Sequence, residues 1–238
     1  MPKFDVRHPF WVTPEYATSK IQDAWLLQCA RPGVLNRWIE LFSQGVHSHS
    51  AMLTRHVSDG TIDVLEVLQL YGGRRKPIDY YVKHPGRLDI FSPCCDGMYA
   101  DTFKPQGAVA MMRTLTEYEY GYAGIIQMFL RRMPLICHIY PRLTVDVLPN
   151  TPSTKIRQPF CSHAVAMAYQ YGGGVDPVPR QPNFLVSPAQ LTNSMFFQYE
   201  FSLVTAWARQ RYAADILAMA ELNEALFLAK KSELTGNP

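Results

Sequence analysis

In Gln158-Pro159-Phe160-Cys161-Ser162-His163-Ala164-Val165-Ala166-Met167-Ala168-Tyr169, a cysteine stands two residues after a proline. Ala164, Val165 and Ala168 follow it at helical spacing, and Gly172-Gly173-Gly174 stops the run. Cys161 therefore falls in the first turn of a predicted helix. There the partial positive charge of the helix terminus favours thiolate over thiol, and thiolate is the nucleophile. A free cysteine on an apolar helix face is equally an ordinary core residue, so position alone leaves both readings open.

A second group of residues supplies what a thiol nucleophile needs. Val46 to Thr54 reads as a strand in which His47, His49, Ala51 and Leu53 share one face by the two-residue period. A turn at Ser58-Asp59-Gly60 leads to a second strand, Ile62 to Leu70, which puts Glu66 on the face of Ile62, Val64 and Leu68. A carboxylate among core residues needs a partner. The hairpin can bring His49 beside Glu66, so that the carboxylate orients the imidazole and leaves its other nitrogen for the thiol. Set against the start of the cysteine helix, the pair completes a Cys161-His49-Glu66 relay. Two other readings of these residues stay open. Glu66 can turn outward at a strand end beside an ordinary half-buried His49, or His47 and His49, with Cys161 or Glu66, can supply the ligand types of a zinc site.

The elements that must position these groups read as a mixed α+β fold. Further strands are expected at Arg87 to Phe91 and Leu143 to Leu148, with a helix from about Gln106 to Met133. Ser187-Pro188-Ala189-Gln190 has the pattern of a capping box with proline at the first helical position, predicting a short helix to about Asn193. Ser202 to Lys231 holds no Pro or Gly and predicts one long C-terminal helix, packed on the domain or on a partner. Gly72-Gly73-Arg74-Arg75-Lys76 reads as a solvated turn, or as cations presented to a substrate carboxylate or phosphate. His163 reads as structural, and the vicinal Cys94-Cys95 as incidental.

Composition narrows the function classes. The 238 residues are 47% hydrophobic and 18% charged, enough to bury a sizeable core. Basic and acidic side chains, 23 and 20, are scattered without a basic stripe, which argues against a nucleic-acid partner. No run approaches a membrane span, so an integral membrane protein is not expected. Met1 to Tyr16 lacks the pattern of a secretory signal, and five cysteines without regular spacing suggest a reducing compartment.

Gln22-Asp23-Ala24-Trp25-Leu26-Leu27, Val46-His47-Ser48-His49-Ser50-Ala51-Met52, Val64-Leu65-Glu66, Phe160-Cys161-Ser162-His163-Ala164-Val165 and Ser187-Pro188-Ala189-Gln190-Leu191 together resemble the successive blocks of the circularly permuted NlpC/P60 papain-like family. In permuted members the histidine strand and its polar partner precede the cysteine helix, the order seen here. The resemblance spans about residues 22 to 194. It implies a papain-like fold with an antiparallel sheet packed on helices, taken as one domain over residues 1–200, while the helical extension over 201–238 lies outside the resemblance. It further implies Cys161 as nucleophile, His49 as base and Glu66 as orienting residue, with no cofactor and no metal. His49 rather than His47 matches the family's histidine because Ser-Ala-Met follows it. The implied activity is a thiol hydrolase or acyltransferase, first an amidase or peptidase on cell-wall-type peptides, otherwise a lipid acyl hydrolase or acyltransferase. A catalytically idle binding module, self-associating or docking a partner through its C-terminal helix, is the other expectation. Without a signal, the protein is expected to be cytoplasmic or delivered by a phage particle or secretion device.

Overall fold

The structure, a computed structural model, describes residues 9–68, 71–83, 85–94, 99, 101–119, 159–212 and 215–235. Its centre is one seven-stranded sheet: β1 (Trp11–Val12), β2 (Trp25–Ala30), β3 (His49–Arg55), β4 (Ile62–Leu68), β5 (Gly72–Pro77), β6 (Arg87–Pro93) and β7 (Phe197–Leu203). The strand order is β1-β7-β6-β2-β3-β4-β5. Every neighbouring pair is antiparallel except β1 with β7, so the sheet is mixed rather than antiparallel throughout. The exception arises because the N-terminal strand lies along the free edge of β7, where the Ser202 and Val204 N–H groups donate to the carbonyls of Phe10 and Val12.

Helices α1 (Pro14–Lys20), α2 (Val34–Ser43), α3 (Ile78–Val82), α4 (Pro105–Leu115), α5 (Cys161–Met167), α6 (Pro188–Thr192), α7 (Ala206–Tyr212) and α8 (Asp215–Thr235) surround it. On one face Leu26, Met52, Leu65 and Phe91 pack with Ala108 and Met112 of α4 and with Ala164 and Val165 of α5. On the other, Leu27, Ala51, Leu53 and Val64 pack with Ala17 of α1 and with Ile78 and Tyr81 of α3. The middle strands are thus covered on both faces, which is why their sequences run apolar with little alternation. Among the described residues no helix is long and apolar enough to cross a membrane.

Three sequence expectations change. The helix expected from Gln106 to Met133 ends at Leu115. The chain then turns so that the Tyr118 carbonyl accepts the N–H of Gly73 on β5, and the remainder of that expected helix, like the strand at Leu143 to Leu148, lies outside the described residues. Gly72 to Lys76 is not a turn but the edge strand β5. The single helix expected from Ser202 is a strand followed by two helices. β7 runs to Leu203 through its ladder with β6, and the Thr205 hydroxyl caps α7 by accepting the N–H of Ala208. Pairing with a neighbour outweighs helix propensity here, and the boundary expected between residues 200 and 201 falls inside β7. The C-terminal helix α8 packs on the domain: Ile216 and Ala220 bury against Trp11 and Val204, and the Asn223 amide donates to the Trp11 carbonyl.

The helix that carries Cys161 continues into a π-helical turn, Ala168–Gly172, whose position against α4 is set by a glycine pair. A Cβ at Gly107 would lie 2.2 Å from the Gly172 carbonyl oxygen, and one at Gly172 would lie 2.3 Å from that of Gly107. Both contacts are with backbone, which cannot rotate away. Gly107→Ala is therefore expected to destabilise the chain by about 1 to 3 kcal/mol, the range for overpacking a tight contact. The midpoint of urea unfolding measures it, with Ala at the neighbouring exposed Gln106 as a near-neutral reference.

Candidate active site

His49 is the first residue of β3, opposite Cys29 of β2. The β3–β4 ladder runs from Arg55–Ile62 only to Met52–Leu65. Beyond it, β3 stays with β2 as far as His49 and β4 stays with β5 as far as Leu68. The two middle strands therefore part as they approach His49 and Glu66. Cys161, at the start of α5, meets this opening. Its sulfur accepts the N–H of Ser50, which β4 no longer faces, and forms a hydrogen bond with the His49 ring.

His49 Nε2 lies 2.5 Å from Glu66 Oε2, which leaves the other ring nitrogen for the thiol. The Cys161-His49-Glu66 chain read from the sequence is thus assembled, with all three residues buried. Burial alone would lower the His49 pKa, but the charge of Glu66 and the hydrogen bonds with Cys161 and Glu66 raise it above the ordinary imidazole value. Burial would likewise push the Cys161 thiol up. The hydrogen bond and charge of His49, with the N–H groups of Ser50 and Ser162, bring it below the ordinary thiol value instead. Both shifts favour the thiolate–imidazolium pair over the neutral pair.

Glu66 is fully buried, and its surroundings explain why it can stay charged. Burial opposes ionisation, but His49 and then Arg31 hold the carboxyl well below the usual carboxylate range, with Tyr81 beside it. Arg74 Nε donates to Oε1 at 2.6 Å, and Arg31 Nη2 is 3.8 Å from Oε2. Sequence reasoning missed Arg31, Arg74 and Tyr81. Arg74 was within reach of it, because β5 as an antiparallel strand places Arg74 directly opposite Glu66. Arg31, just past β2, and Tyr81, in α3, have no pattern to mark them.

His47 does not share the His49 face, as the strand reading expected. It precedes β3, and its ring turns to the opposite side of the sheet. There Nε2 meets Asp89 Oδ2 at 2.7 Å and Nδ1 meets Thr192 Oγ1 at 3.0 Å. Asp89 is also held by Arg87 and by the Ser202 hydroxyl. Asp89 pairs with Gln28, and Gln28 with Ser50, so it belongs to the face that His49 turns away from. The two histidines of the alternative zinc reading are therefore split across the sheet. Among the described residues, no group of three or more His, Cys, Asp or Glu side chains is arranged to hold a metal ion. His163, read as structural, is buried against Phe160, and burial lowers its pKa to about 4.

Neither a family model nor a curated protein matches the sequence. In fold the chain is similar to a solved structure titled "Crystal structure of metalloprotein yiiX from Escherichia coli O157:H7, DUF1105", with a TM-score of 0.51 at 13% identity. The similarity covers 75% of this chain and 96% of that one. At such identity it is a likeness of fold alone.

A thiol with a lowered pKa keeps its thiolate as the pH falls below the ordinary thiol range. Limiting iodoacetamide at neutral pH is therefore expected to label Cys161 ahead of Cys29, whose thiol burial pushes up to about 12. The pH at half-maximal Cys161 labelling should lie below the roughly 8.5 of a free cysteine and move upward in Glu66→Gln. Peptide mapping across a pH series checks both. A midpoint at the free-cysteine value would show that His49 does not charge the thiol.

Proposed function

We propose that the chain is a thiol-dependent hydrolase or acyltransferase with a papain-like fold of the circularly permuted NlpC/P60 type. The observation that carries this reading is the continuous hydrogen-bonded line from Cys161 through His49 to a fully buried, arginine-held Glu66. A buried carboxylate costs several kcal/mol to desolvate, and here it faces the one histidine that also meets a cysteine at a helix start. The chain order His49, Glu66, Cys161 is the order of the permuted family.

In the proposed reaction the Cys161 thiolate attacks an amide or ester carbonyl and forms a tetrahedral oxyanion. The Cys161 backbone N–H, at the start of α5, would donate to that oxygen. His49, holding the proton taken from the thiol, gives it to the leaving amine or alcohol as the carbon–nitrogen or carbon–oxygen bond breaks, leaving a thioester on Cys161. Water, or an acceptor amine or alcohol, then loses a proton to His49 and attacks the thioester, so that the carbon–sulfur bond breaks, the acid, amide or ester product leaves, and the Cys161 thiolate beside protonated His49 is restored. Glu66 keeps the imidazole oriented and stabilises its charged form throughout. The family resemblance points to cell-wall-type peptide amides or lipid esters as the substrate class.

Incubation with an activated acyl ester should leave one acyl group on Cys161, seen as the corresponding mass on its peptide. His49→Ala is expected to abolish the adduct, and Glu66→Gln to slow its formation by about a hundred- to ten-thousand-fold, the range for lost acid–base support. His47→Ala weakens the fold through Asp89 and leaves the acylation rate of the folded fraction near that of the parent. A folded protein that forms no adduct at Cys161 would overturn the enzymatic reading in favour of a binding module.

A further inference from the structure

A second site lies at the opposite end of β2 from Cys161, His49 and Glu66. Between α1 and the β6–β7 side of the sheet, a cleft of about 340 Å³ is lined by Phe10, Tyr16, Trp25 and Phe201, with Lys20, Asp23 and Glu200 as its charged residues. Trp25 is four residues from Cys29, which pairs with His49. This sets Trp25 about 13 Å along the strand from the residue that His49 faces.

The position of Glu200 in this cleft is a construction of the sheet. Alternation along a strand sends neighbouring residues to opposite faces, yet Glu200 and Phe201 line the same cavity. The ladder explains it. Ile90 pairs with Phe201 and Phe91 with Tyr199, so Glu200 is an extra residue in a β-bulge. A bulge of this kind re-aims a side chain, and the Ser92 hydroxyl fixes the result by donating to the Glu200 carboxylate. Burial raises the Glu200 pKa, so a neighbouring cation would favour its ionised form. The other carboxylate, Asp23, is committed to the Thr54 hydroxyl and the Arg55 N–H.

The walls are aromatic. Tyr16 meets Phe201 edge-on with centroids 6.3 Å apart, and Trp25 lies 6.3 Å from the same ring. The Lys20 ammonium sits 5.3 Å from the Tyr16 centroid, so that ring face already attracts a cation.

We propose that this cleft binds an alkylammonium group, seated among the rings of Tyr16, Trp25 and Phe201 with Glu200 as its counter-ion. A quaternary choline-type headgroup and a lysine side chain share this chemistry. The site is separate from the proposed thiol chemistry and does not depend on it.

Calorimetric titration of the full chain at matched ionic strength tests the proposal. The ligands are choline, a lysine with both ends blocked as amides, and dimethylbutanol, the uncharged carbon isostere of choline. Saturable binding is expected for at least one of the two cations, and the tighter one identifies the source. The isostere should bind at least about tenfold more weakly than choline if choline is the ligand, because it lacks the charge that the rings and Glu200 attract. Glu200→Gln should weaken the cation about tenfold. Lys20→Gln, which removes a competing charge without touching the bulge, should tighten it severalfold. That conservative variant decides the matter if Glu200→Gln does not fold. Absence of saturable binding by either cation, an isostere as tight as choline, or weaker binding in Lys20→Gln would overturn the assignment.

Discussion

A fully buried carboxylate is the constraint around which this molecule is arranged. Glu66 lies between the two covered faces of the sheet, where an unpaired charge would cost several kcal/mol. Its partners are His49 from β3, Arg31 from just past β2 and Arg74 from β5, with Tyr81 of α3 beside it. The two guanidinium groups outweigh the single carboxylate, so the cluster holds a surplus of positive charge before the histidine is protonated. The charge that favours a thiolate on Cys161 comes from His49, which Glu66 in turn stabilises. The edge strand belongs to the same arrangement. Gly73 lets β5 approach the end of α4, where a Cβ would fall 2.0 Å from the Thr116 carbonyl oxygen, and this approach holds Arg74 opposite Glu66.

The two buried histidine–carboxylate pairs are separated because His47 lies outside the strand that His49 begins. His47 with Asp89 and His49 with Glu66 are alike in residue types and in distance. His47 spends its second ring nitrogen on Thr192 and ties α6 to the sheet. His49 turns its second nitrogen to the opening between β3 and β4, where α5 delivers a sulfur. The difference is one of position along the chain: two residues of sequence, one of them outside the strand, put the rings on opposite faces.

Much of this was legible in the sequence because it rests on local patterns. The two-residue period of Ile62 to Leu68 placed Glu66 on the face of Ile62 and Val64, the Asp59-Gly60 turn closed the hairpin, and the proline before Cys161 marked a helix start. The capping box at Ser187 and Gln190 formed as its spacing required. What could not be read depended on partners distant in the chain. The His47 register fails because Asp89 and Thr192 draw the ring away from the strand pattern. Ser202 and Leu203 have neighbours of high helix propensity yet pair in the sheet because β6 and β1 lie beside them. The bulge at Glu200 has no local mark, since it exists only as a mismatch between two strands.

The state of charge at His49 is where the central claim meets measurement most directly. Nitrogen-detected NMR of the His49 ring in the reduced, full chain at neutral pH reports how many protons the imidazole carries. The expected result is a ring protonated on both nitrogens, paired with a thiolate on Cys161 and held by Glu66. A neutral ring with a single proton, beside a protonated thiol, would contradict the charged relay that the rest of the site is arranged to support.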